Sequence, residues 1–277
     1  MTVIAFTQEM GSLAKDVAIR VAEVMKLELQ RHEVVEHVAS RMHVPRSLIS
    51  RLREGKAGAI ERLRADRESL AIYTAEEVLD VAARGNVVLR GWGATCLLRP
   101  VAHVLCVRVT RPFDKRVEWL MNHLETDDTE FAADEVRRSD HAHAARMHDL
   151  FGVTWGDPLL YDLVLNTDRI SIDSGAEAIC RLSARPEFAE TAESQAQIKG
   201  MALEAHIRSA LRADAQTHGI KVVIECQDGH VALKGIVVSD AERGATGRVA
   251  AAVPGVVDVD NQLRVMSRSH LFTSAKN

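Results

Sequence analysis

A chain of 277 residues, 47% hydrophobic and 27% charged, has the composition of a globular protein and is long enough for one large domain, or for a medium-sized and a small one. Its formal charge of −4 gives no general attraction to nucleic acid or to anionic membranes. No stretch approaches the roughly 18 apolar residues of a membrane span. The N terminus lacks the basic start and the long apolar stretch of a secretory signal. We therefore expect a cytoplasmic protein with no transmembrane segment and no nucleic-acid partner.

The cysteines Cys96, Cys106, Cys180 and Cys226 are widely spaced and form no C-x-x-C pair. Metal sites and disulfide frameworks usually show close and regular cysteine spacing. We therefore favour buried free thiols over a metal site or disulfide bonds.

The first 183 residues alternate short apolar runs with long helical patterns. The runs at 3–6, 87–89, 104–109 and 163–166 have the mostly apolar character of strands that are covered on both faces. Between them, apolar residues recur at helical spacing, as in Leu13, Val17, Val21 and Val24, and again at 117, 120 and 124. This alternation predicts an α/β domain with a mostly parallel sheet and helices on both of its faces.

The segment 41–69 is strongly charged, and at 184–198 the apolar pattern stops. For the first segment we favour a solvated helical surface, with a basic surface that faces a nucleotide or a partner as the alternative. Its basic residues include Arg46, Arg51, Arg53, Lys56, Arg62, Arg64 and Arg67. The second segment is interpreted as a domain linker.

The C-terminal part of the chain has the pattern of a helix, two strands, a helix and a strand. A first helix that includes Met201 and Leu211 is expected to end at Gly219. Asp228-Gly229 lies between two alternating apolar runs and favours a tight hairpin turn, since both residues tolerate positive φ. The inner faces of the two strands are expected to carry Ile220, Val222 and Ile224, and Val231, Leu233, Ile236 and Val238.

Ser239 lies three residues before Glu242 and indicates a capping box at the start of a second helix. Pro254-Gly255 ends this helix, and a last strand follows, with Val257, Val259, Leu263 and Val265 expected on one face. This αββαβ order, with DGHVALKG at 228–235 and PGVVDVDNQL at 254–263, closely resembles a BON domain at 199–267, followed by a tail at 268–277. The resemblance implies a small α+β module that binds phospholipid, another ligand or a protein partner, in a bacterial protein.

The first strand leads into Gln8-Glu9-Met10-Gly11-Ser12, directly before a helix. A phosphate-binding loop needs glycines here, because backbone N–H groups and the helix N terminus must surround the phosphate. The pattern G-x-x-x-x-G-K-[ST] is absent. Taken alone, Gly11-Ser12 therefore favours an ordinary helix N-cap.

Four stretches resemble the cytidylate kinase-like family, a branch of the P-loop nucleoside monophosphate kinases. They are QEMGS at 8–12, VLRGWG at 88–93, VRVTRP at 107–112 with Arg116, and WGDP at 155–158 followed by YDLVLNT at 161–167. The last is the most specific, since both blocks and their spacing fit. The resemblance covers about residues 1–183 and implies a P-loop kinase-like sheet with helices on both faces.

The resemblance also implies roles for particular residues. Gly11, Ser12 and Lys15 would hold the phosphates of ATP, with Mg²⁺ if the protein is active. A mobile lid at 126–154 would bring charged groups onto the transferring phosphoryl group. Its candidate catalytic residues are Arg137, Arg138, Asp140 and Arg146. The candidate substrate-binding residues are Arg116, Asp157, Asp162 and Asn166.

The chain departs from the family pattern at several of these positions. Leu13 and Ala14 replace further glycines, and Lys15 replaces an arginine. In the lid, Asp-x-x-Arg becomes Asp140-His141-Ala142-His143, and a second arginine position is His148; a neutral histidine cannot replace an arginine fork on phosphate. Two further departures are Trp92, in place of an arginine, and Arg31, in place of an acidic residue.

These departures favour a degenerate, regulatory nucleotide-binding protein, a pseudokinase, that engages a lipid or a partner through its BON module. The alternatives are an active kinase that transfers a phosphoryl group from ATP to CMP or a related acceptor, and a non-catalytic interaction protein. No metal site is expected, because His141 and His143 point to different sides of a helix and no carboxylate completes a set with His148. Asp127-Asp128 is expected to form a turn or a helix cap.

Overall fold

The computed structural model describes residues 1–30, 33–54, 57–58, 61, 66–91 and 93–266, which form two compact units. The boundary between the units lies after residue 198. In the described residues, the first unit contains one five-stranded sheet, and the second contains a three-stranded and a two-stranded sheet. Among the same residues, no helix is both long enough and apolar enough to cross a lipid bilayer.

The five strands of the first unit are all parallel and lie in the order β2-β3-β1-β4-β5. They are β1 (Val3–Gln8), β2 (Glu28–Leu29), β3 (Val87–Arg90), β4 (Val104–Thr110) and β5 (Leu163–Asn166). The described helices of this unit are α1 (Ala14–Met25), α2 (Glu33–Met42), α3 (Arg46–Glu54), α4 (Arg67–Arg84), α5 (Ala94–Leu97), α6 (Phe113–Leu124), α7 (Thr129–Phe151) and α8 (Ile172–Ser183). The four strands predicted from apolar runs are confirmed, and β2 joins them at the sheet edge.

Strand β1 lies at the centre of the sheet because it is apolar on both sides. Ile4 and Phe6 pack in one core with residues of α1 and α8, while Val3 and Ala5 point to the opposite face and are also at most 1% exposed. Side chains are therefore buried on both faces of the sheet, and the predicted α/β domain with a parallel sheet is confirmed.

The strand order reverses at β1, which has β3 on one side and β4 on the other. In open parallel sheets, ligands bind in the crevice outside the carboxyl ends of the strands at such a switch point. Since β1 ends at Gln8, the connection from β1 to α1 lies at this crevice.

The charged segment 41–69 is described in part. Three of its arginines pair with carboxylates at 2.5–3.5 Å: Arg46 with Glu36, Arg51 with Glu61, and Arg67 with Asp149. Lys56, Arg62, Arg64 and the side chain of Arg53 lie outside the described residues. Ion pairs of this kind are typical of a solvated helical surface, and a role toward a partner stays a prediction.

The predicted linker at 184–198 contains a 3₁₀ helix, Pro186–Phe188, and the beginning of α9 (Ala192–Ala213), which continues across the boundary between the units. The sequence-based end of this helix at Gly219 is wrong, because the helix ends at Ala213. Beyond that point the Thr217 hydroxyl donates to the Leu211 carbonyl at 2.7 Å, which satisfies one of the last helical acceptors while the chain turns.

The second unit has the predicted order of helix, two strands, helix and strand, but the second and the last strand are each divided in two. The elements after α9 are β6 (Val223–Gln227), β7 (His230–Lys234), β8 (Ile236–Val237), α10 (Asp240–Ala251), β9 (Asp258–Asn261) and β10 (Arg264–Val265). Strand β7 lies between β6 and β9, and β8 pairs with β10. The unit is therefore a small α+β module around its own apolar core.

The predicted hairpin turn and the predicted helix cap are both present in this unit. Asp228 and Gly229 have φ of 49° and 84°, which confirms the predicted hairpin turn. At the start of α10, the Ser239 hydroxyl accepts the Glu242 N–H at 3.2 Å. The Glu242 carboxylate accepts the Val238 N–H at 3.0 Å, one residue before the position that a standard capping box uses.

The predicted inner face is wrong at three residues. Ile236, Val238 and Val257 are 64%, 65% and 70% exposed, whereas Val237 is 2% exposed. Val231, Leu233 and Val237 are buried, whereas the even-numbered residues from 232 to 238 are partly or fully exposed, so the odd-numbered side chains face the core and the even-numbered ones face outward.

Candidate functional site

The connection between β1 and α1 forms a tight loop that ends at the helix N terminus. Gly11 and Leu13 both have positive φ, of 75° and 59°. Leu13, and not Ser12, occupies the N-cap position of α1, and no side chain caps the helix there. The interpretation of Gly11-Ser12 as an ordinary N-cap is therefore wrong. The first N–H groups of α1 have no partner within the helix and form its positive end.

Gly11 is required by close packing as well as by its φ. A Cβ atom at this position would lie 3.0 Å from the carbonyl oxygen of Arg116 and 3.1 Å from its Cα. The loop therefore rests directly on the first turn of α6, and a side chain at Gly11 would push the two apart.

Ser12 is held by its backbone while its side chain remains unpaired. Its N–H donates to the Glu9 carbonyl at 3.2 Å, and its carbonyl accepts the Thr167 hydroxyl at 2.8 Å. The residue is 1% exposed, and its Oγ makes no hydrogen bond to the described part of the chain. Buried polar atoms without a partner are uncommon in folded proteins and often indicate a missing ligand or water.

A cavity of about 650 Å³ opens above this loop. The loop forms one wall from Gln8 to Asp16, together with Arg90 and Gly91 at the end of β3. Helices α6 and α7 form the others, through Trp119, Leu120, His123, Leu124, Glu135, Ser139, His143 and Arg146. The volume lies within the range of about 300–1,000 Å³ that is typical of small-molecule sites.

Glu9, a residue of the cavity wall, forms a buried ion cluster with Arg108 and Arg116. Its carboxylate accepts hydrogen bonds from Arg108 at 2.7 Å and from the Thr110 hydroxyl at 2.5 Å, and it lies 3.5 Å from Nε of Arg116. The side chains of Glu9, Arg108 and Arg116 are at most 13% exposed. No sequence pattern indicated that Glu9 and Arg108 form a pair.

Arg116 and Asp140, predicted to bind substrate and to act in catalysis, are joined to each other. The guanidinium of Arg116 donates to both carboxylate oxygens of Asp140, at 3.0 and 2.8 Å. It also donates to the carbonyls of Met10 and Arg111. Arg116 thus connects the loop, α6 and α7 in one bidentate network.

The side chain of Trp155 contacts residues of β1, β4 and α7. Its indole N–H donates to the Thr7 hydroxyl at 2.9 Å, and Arg108 lies over its ring at 4.2 Å. His143 stacks on the same indole with ring centroids 4.3 Å apart. The Tyr161 hydroxyl donates to the Trp155 carbonyl at 2.7 Å, and burial raises the pKa of Tyr161 to about 12, so the hydroxyl stays a donor.

The predicted lid is a single helix, α7, of 23 residues. Asp128 caps its start by accepting the Phe131 N–H at 2.9 Å, which confirms the prediction of a cap at Asp127-Asp128. Arg137 pairs with Asp134 and Arg138 with Glu135, both one turn away on the same helix. Arg146 lines the cavity and donates to the Leu52 carbonyl at 3.1 Å.

The remaining predicted residues lie outside the cavity wall, with one exception. Lys15, in the first turn of α1, is exposed and lines the cavity. Asp162 accepts the Cys106 N–H at 2.8 Å and pairs with Arg99. Asp157 caps the short helix Pro158–Leu160, and Asn166 accepts the Asp168 N–H at the end of β5. Trp92 and Arg31 are not among the described residues.

The cysteines and histidines show no metal-binding arrangement in the part of the chain that the structure describes. All four cysteines carry free thiols; Cys106 is buried and the other three are partly exposed. Burial raises the pKa of Cys106 to about 12 and that of Cys226 to about 11, so both thiols remain protonated at neutral pH.

The comparisons with known proteins agree with this geometry. A model of the cytidylate kinase-like family matches residues 3–169, which is more than half of the chain. The chain belongs to the cytidylate kinase-like family. A model of the BON domain matches residues 201–267. The first unit is therefore a cytidylate kinase-like domain and the second a BON domain, and both predicted family resemblances are confirmed.

Solved structures are similar to this chain at low sequence identity. An uncharacterised protein from Eubacterium ventriosum matches with a TM-score of 0.52 and 17% identity, over 67% of this chain and 100% of its own. A shikimate kinase from Acinetobacter baumannii matches with a TM-score of 0.41 and 11% identity, over 66% of this chain and 92% of its own. One from Bacteroides thetaiotaomicron matches with a TM-score of 0.41 and 15% identity, over 65% and 97%. No curated protein matches this chain.

Proposed function

We propose that the kinase-like domain binds a nucleotide through its phosphates at the loop from Glu9 to Lys15, and that it acts as a regulatory module with little or no phosphoryl transfer. The observation that carries this proposal is the buried hydroxyl of Ser12, which has no hydrogen-bond partner among the described residues and belongs to the loop that lines the cavity. It lies beside the positive end of α1 and the exposed Lys15, and together these groups are suited to an anion.

The weak transfer activity is proposed from the positions of the lid side chains. Phosphoryl transfer depends on positive groups that neutralise the transferring phosphate. Arg137 and Arg138 pair with carboxylates of their own helix, and neither is among the described residues of the cavity wall. Asp140, which would position an acceptor, is held by Arg116.

An active cytidylate-type kinase is the second candidate, favoured by the arginines that do reach the cavity. Arg90 and Arg146 line it together with Lys15, so three cationic side chains surround the space above the loop. Magnesium that arrives with ATP usually needs only one or two protein carboxylates besides the phosphates, and Asp16 and Glu135 both line the cavity, on different walls.

Calorimetric titration of the full chain with tripolyphosphate, ATP, ADP and CMP tests the binding proposal. We expect phosphate-dependent binding that Lys15→Ala weakens roughly tenfold, because a charge-assisted hydrogen bond contributes about 1.5–3 kcal/mol. Lys115→Ala, at an exposed lysine outside the described cavity wall, is the matched control and should bind as the parent does. No heat and no thermal shift at millimolar ligand would favour the non-catalytic interaction protein instead.

ADP formation from ATP, CMP and magnesium separates the two candidates. The regulatory module predicts binding without turnover above background. Magnesium-dependent turnover that Lys15→Ala abolishes would establish the kinase instead.

We propose that the BON domain docks the protein on a phospholipid or a protein partner in the cytoplasm of a bacterium, and that residues 184–198 link it to a kinase-like domain at 1–183. BON domains are associated with lipid or protein binding. Flotation of the full chain with anionic and with zwitterionic liposomes tests the lipid partner. Failure with every anionic lipid would favour a protein.

A further inference from the structure

One wall of the cavity carries two stacked rings. Trp119 and His123 lie one turn apart on α6, and both line the cavity. Their ring centroids are 4.9 Å apart and the two planes differ by 8°, which is nearly parallel stacking. His123 is exposed, while Trp119 is half-buried.

The indole is fixed, whereas its stacking partner lies at the surface. Trp119 packs against an apolar cluster formed by Val117, Leu120, Ala132 and Val136 of α6 and α7. A large, rigid aromatic ring on a cavity wall loses little entropy when a second flat ring stacks on it. The parallel imidazole shows that the indole face admits a planar heterocycle.

The phosphate-binding groups lie on another wall of the same cavity. The loop from Gln8 to Asp16 lines a space that Trp119 and His123 also border, and it contains the buried Ser12 hydroxyl, which has no hydrogen-bond partner among the described residues. A ligand with a phosphate chain at one end and a flat ring at the other would satisfy both walls. Nucleotides have this chemistry.

We propose that the indole of Trp119 is the stacking surface for the base of the bound nucleotide, and that the imidazole of His123 occupies this surface until the base displaces it. The inference rests on the proposed function, since it places the base of the nucleotide whose phosphates bind the loop. Stacking accepts any base because every base has a π-face. The base therefore adds affinity with little discrimination among nucleotides.

The test compares ATP with tripolyphosphate on the full chain by calorimetric titration. Trp119→Leu should weaken ATP roughly tenfold and leave tripolyphosphate unchanged, because base–aromatic stacking is lost while the loop is intact. Trp119→Phe should retain most of the ATP affinity. His123→Ala should bind ATP as tightly as the parent or more tightly. Glu118→Ala, at an exposed residue of α6 outside the described cavity wall, is the control and should change neither affinity.

The outcomes separate this inference from the proposed function. If neither ATP nor tripolyphosphate binds the parent protein, the proposed function fails. If both bind and Trp119→Leu binds ATP as the parent does, the stacking inference is overturned while the phosphate site stands. A loss of ATP affinity in His123→Ala would overturn the exchange of the imidazole for the base. Unchanged tripolyphosphate affinity in each variant shows that the domain remains folded.

Discussion

At the residue scale, the loop keeps a left-handed conformation at a position where the chain has no glycine. Leu13 has φ of 59°, and such a backbone costs a non-glycine residue about 1–2 kcal/mol. The surrounding contacts hold it there: the Asp16 and Val17 N–H groups both donate to its carbonyl. The loop therefore has, at Leu13, a conformation that suits glycine best.

Replacing Leu13 with glycine should strengthen phosphate binding. The change relieves the strained φ and removes a side chain that lines the cavity beside the loop. The free energy of unfolding should change by less than about 1 kcal/mol, because the added flexibility of glycine in the unfolded chain offsets the relief. Tripolyphosphate titration and urea denaturation measure the two effects, and weaker tripolyphosphate binding would contradict the expectation.

The pairing of Glu9 with Arg108 and Arg116 could not be predicted from the sequence. Arg108 and Arg116 meet Glu9 only because β4 lies beside β1 and α6 packs on the loop. Buried charges are tolerated when they are paired and hydrogen-bonded. The partners are about 100 residues apart, so no local pattern signals the pairing.

At the element scale, α7 packs against the rest of the first unit through side-chain contacts. The contacts that hold it to the rest of the first unit include those of Asp140 with Arg116, His143 with Trp155, and Arg146 with the Leu52 carbonyl. One of them, at His143, involves a position at which the sequence departs from the family pattern. At His143, departure from the catalytic pattern and packing of the helix therefore coincide.

The β6–β7 hairpin requires a glycine at position 229, and Gly219 offers a matched control. Gly229 has φ of 84°, and a Cβ there would lie 2.7 Å from Cγ2 of Val257 and 2.8 Å from the Gly255 carbonyl. Gly219 has no positive φ and no heavy atom within 4 Å of an added Cβ. Gly229→Ala should lower the free energy of unfolding by more than about 2 kcal/mol, and Gly219→Ala by less than about 0.5 kcal/mol. Urea denaturation of the full chain measures both, and equal costs would refute the steric argument.

At the scale of the whole molecule, the two units have separate apolar cores. Ile4, Phe6 and Val107 belong to the core of the kinase-like domain, and Leu233 and Leu263 to that of the BON domain. Separate cores mean that each unit buries its own apolar surface. A change inside one core should therefore leave the ligand site of the other domain intact.

Leu233→Ala and Ile236→Ala test this independence and the corrected strand register together. Leu233 is fully buried, and its truncation should lower the stability of the BON domain by about 2–5 kcal/mol. Ile236 is 64% exposed, and its truncation should change stability by less than about 0.5 kcal/mol. Calorimetric unfolding measures both. Tripolyphosphate affinity should be unchanged in each variant, and a loss in Leu233→Ala would show that the two domains are coupled.

Much of the architecture followed from the sequence because it is encoded locally. Mostly apolar runs identified four strands of the parallel sheet, and Asp228-Gly229 identified the hairpin, since strand burial and turn geometry depend on neighbouring residues. Four short stretches identified the family and the position of the loop. The face of β8 was misassigned because alternation alone does not say which parity faces the core, and only the packing of Val237 decided it.

The contacts across the candidate site were decided by the tertiary structure. The sequence placed Gly11, Ser12 and Lys15 after a strand and at a helix start, and the family resemblance named the residues of the lid. That Arg116 holds Asp140, that Ser12 has a buried hydroxyl without a partner, and that Trp119 shares a cavity with the loop required the fold. The reason is physical: local geometry depends on residues a few positions apart, whereas a binding site is formed by side chains that only the packing of distant elements brings together.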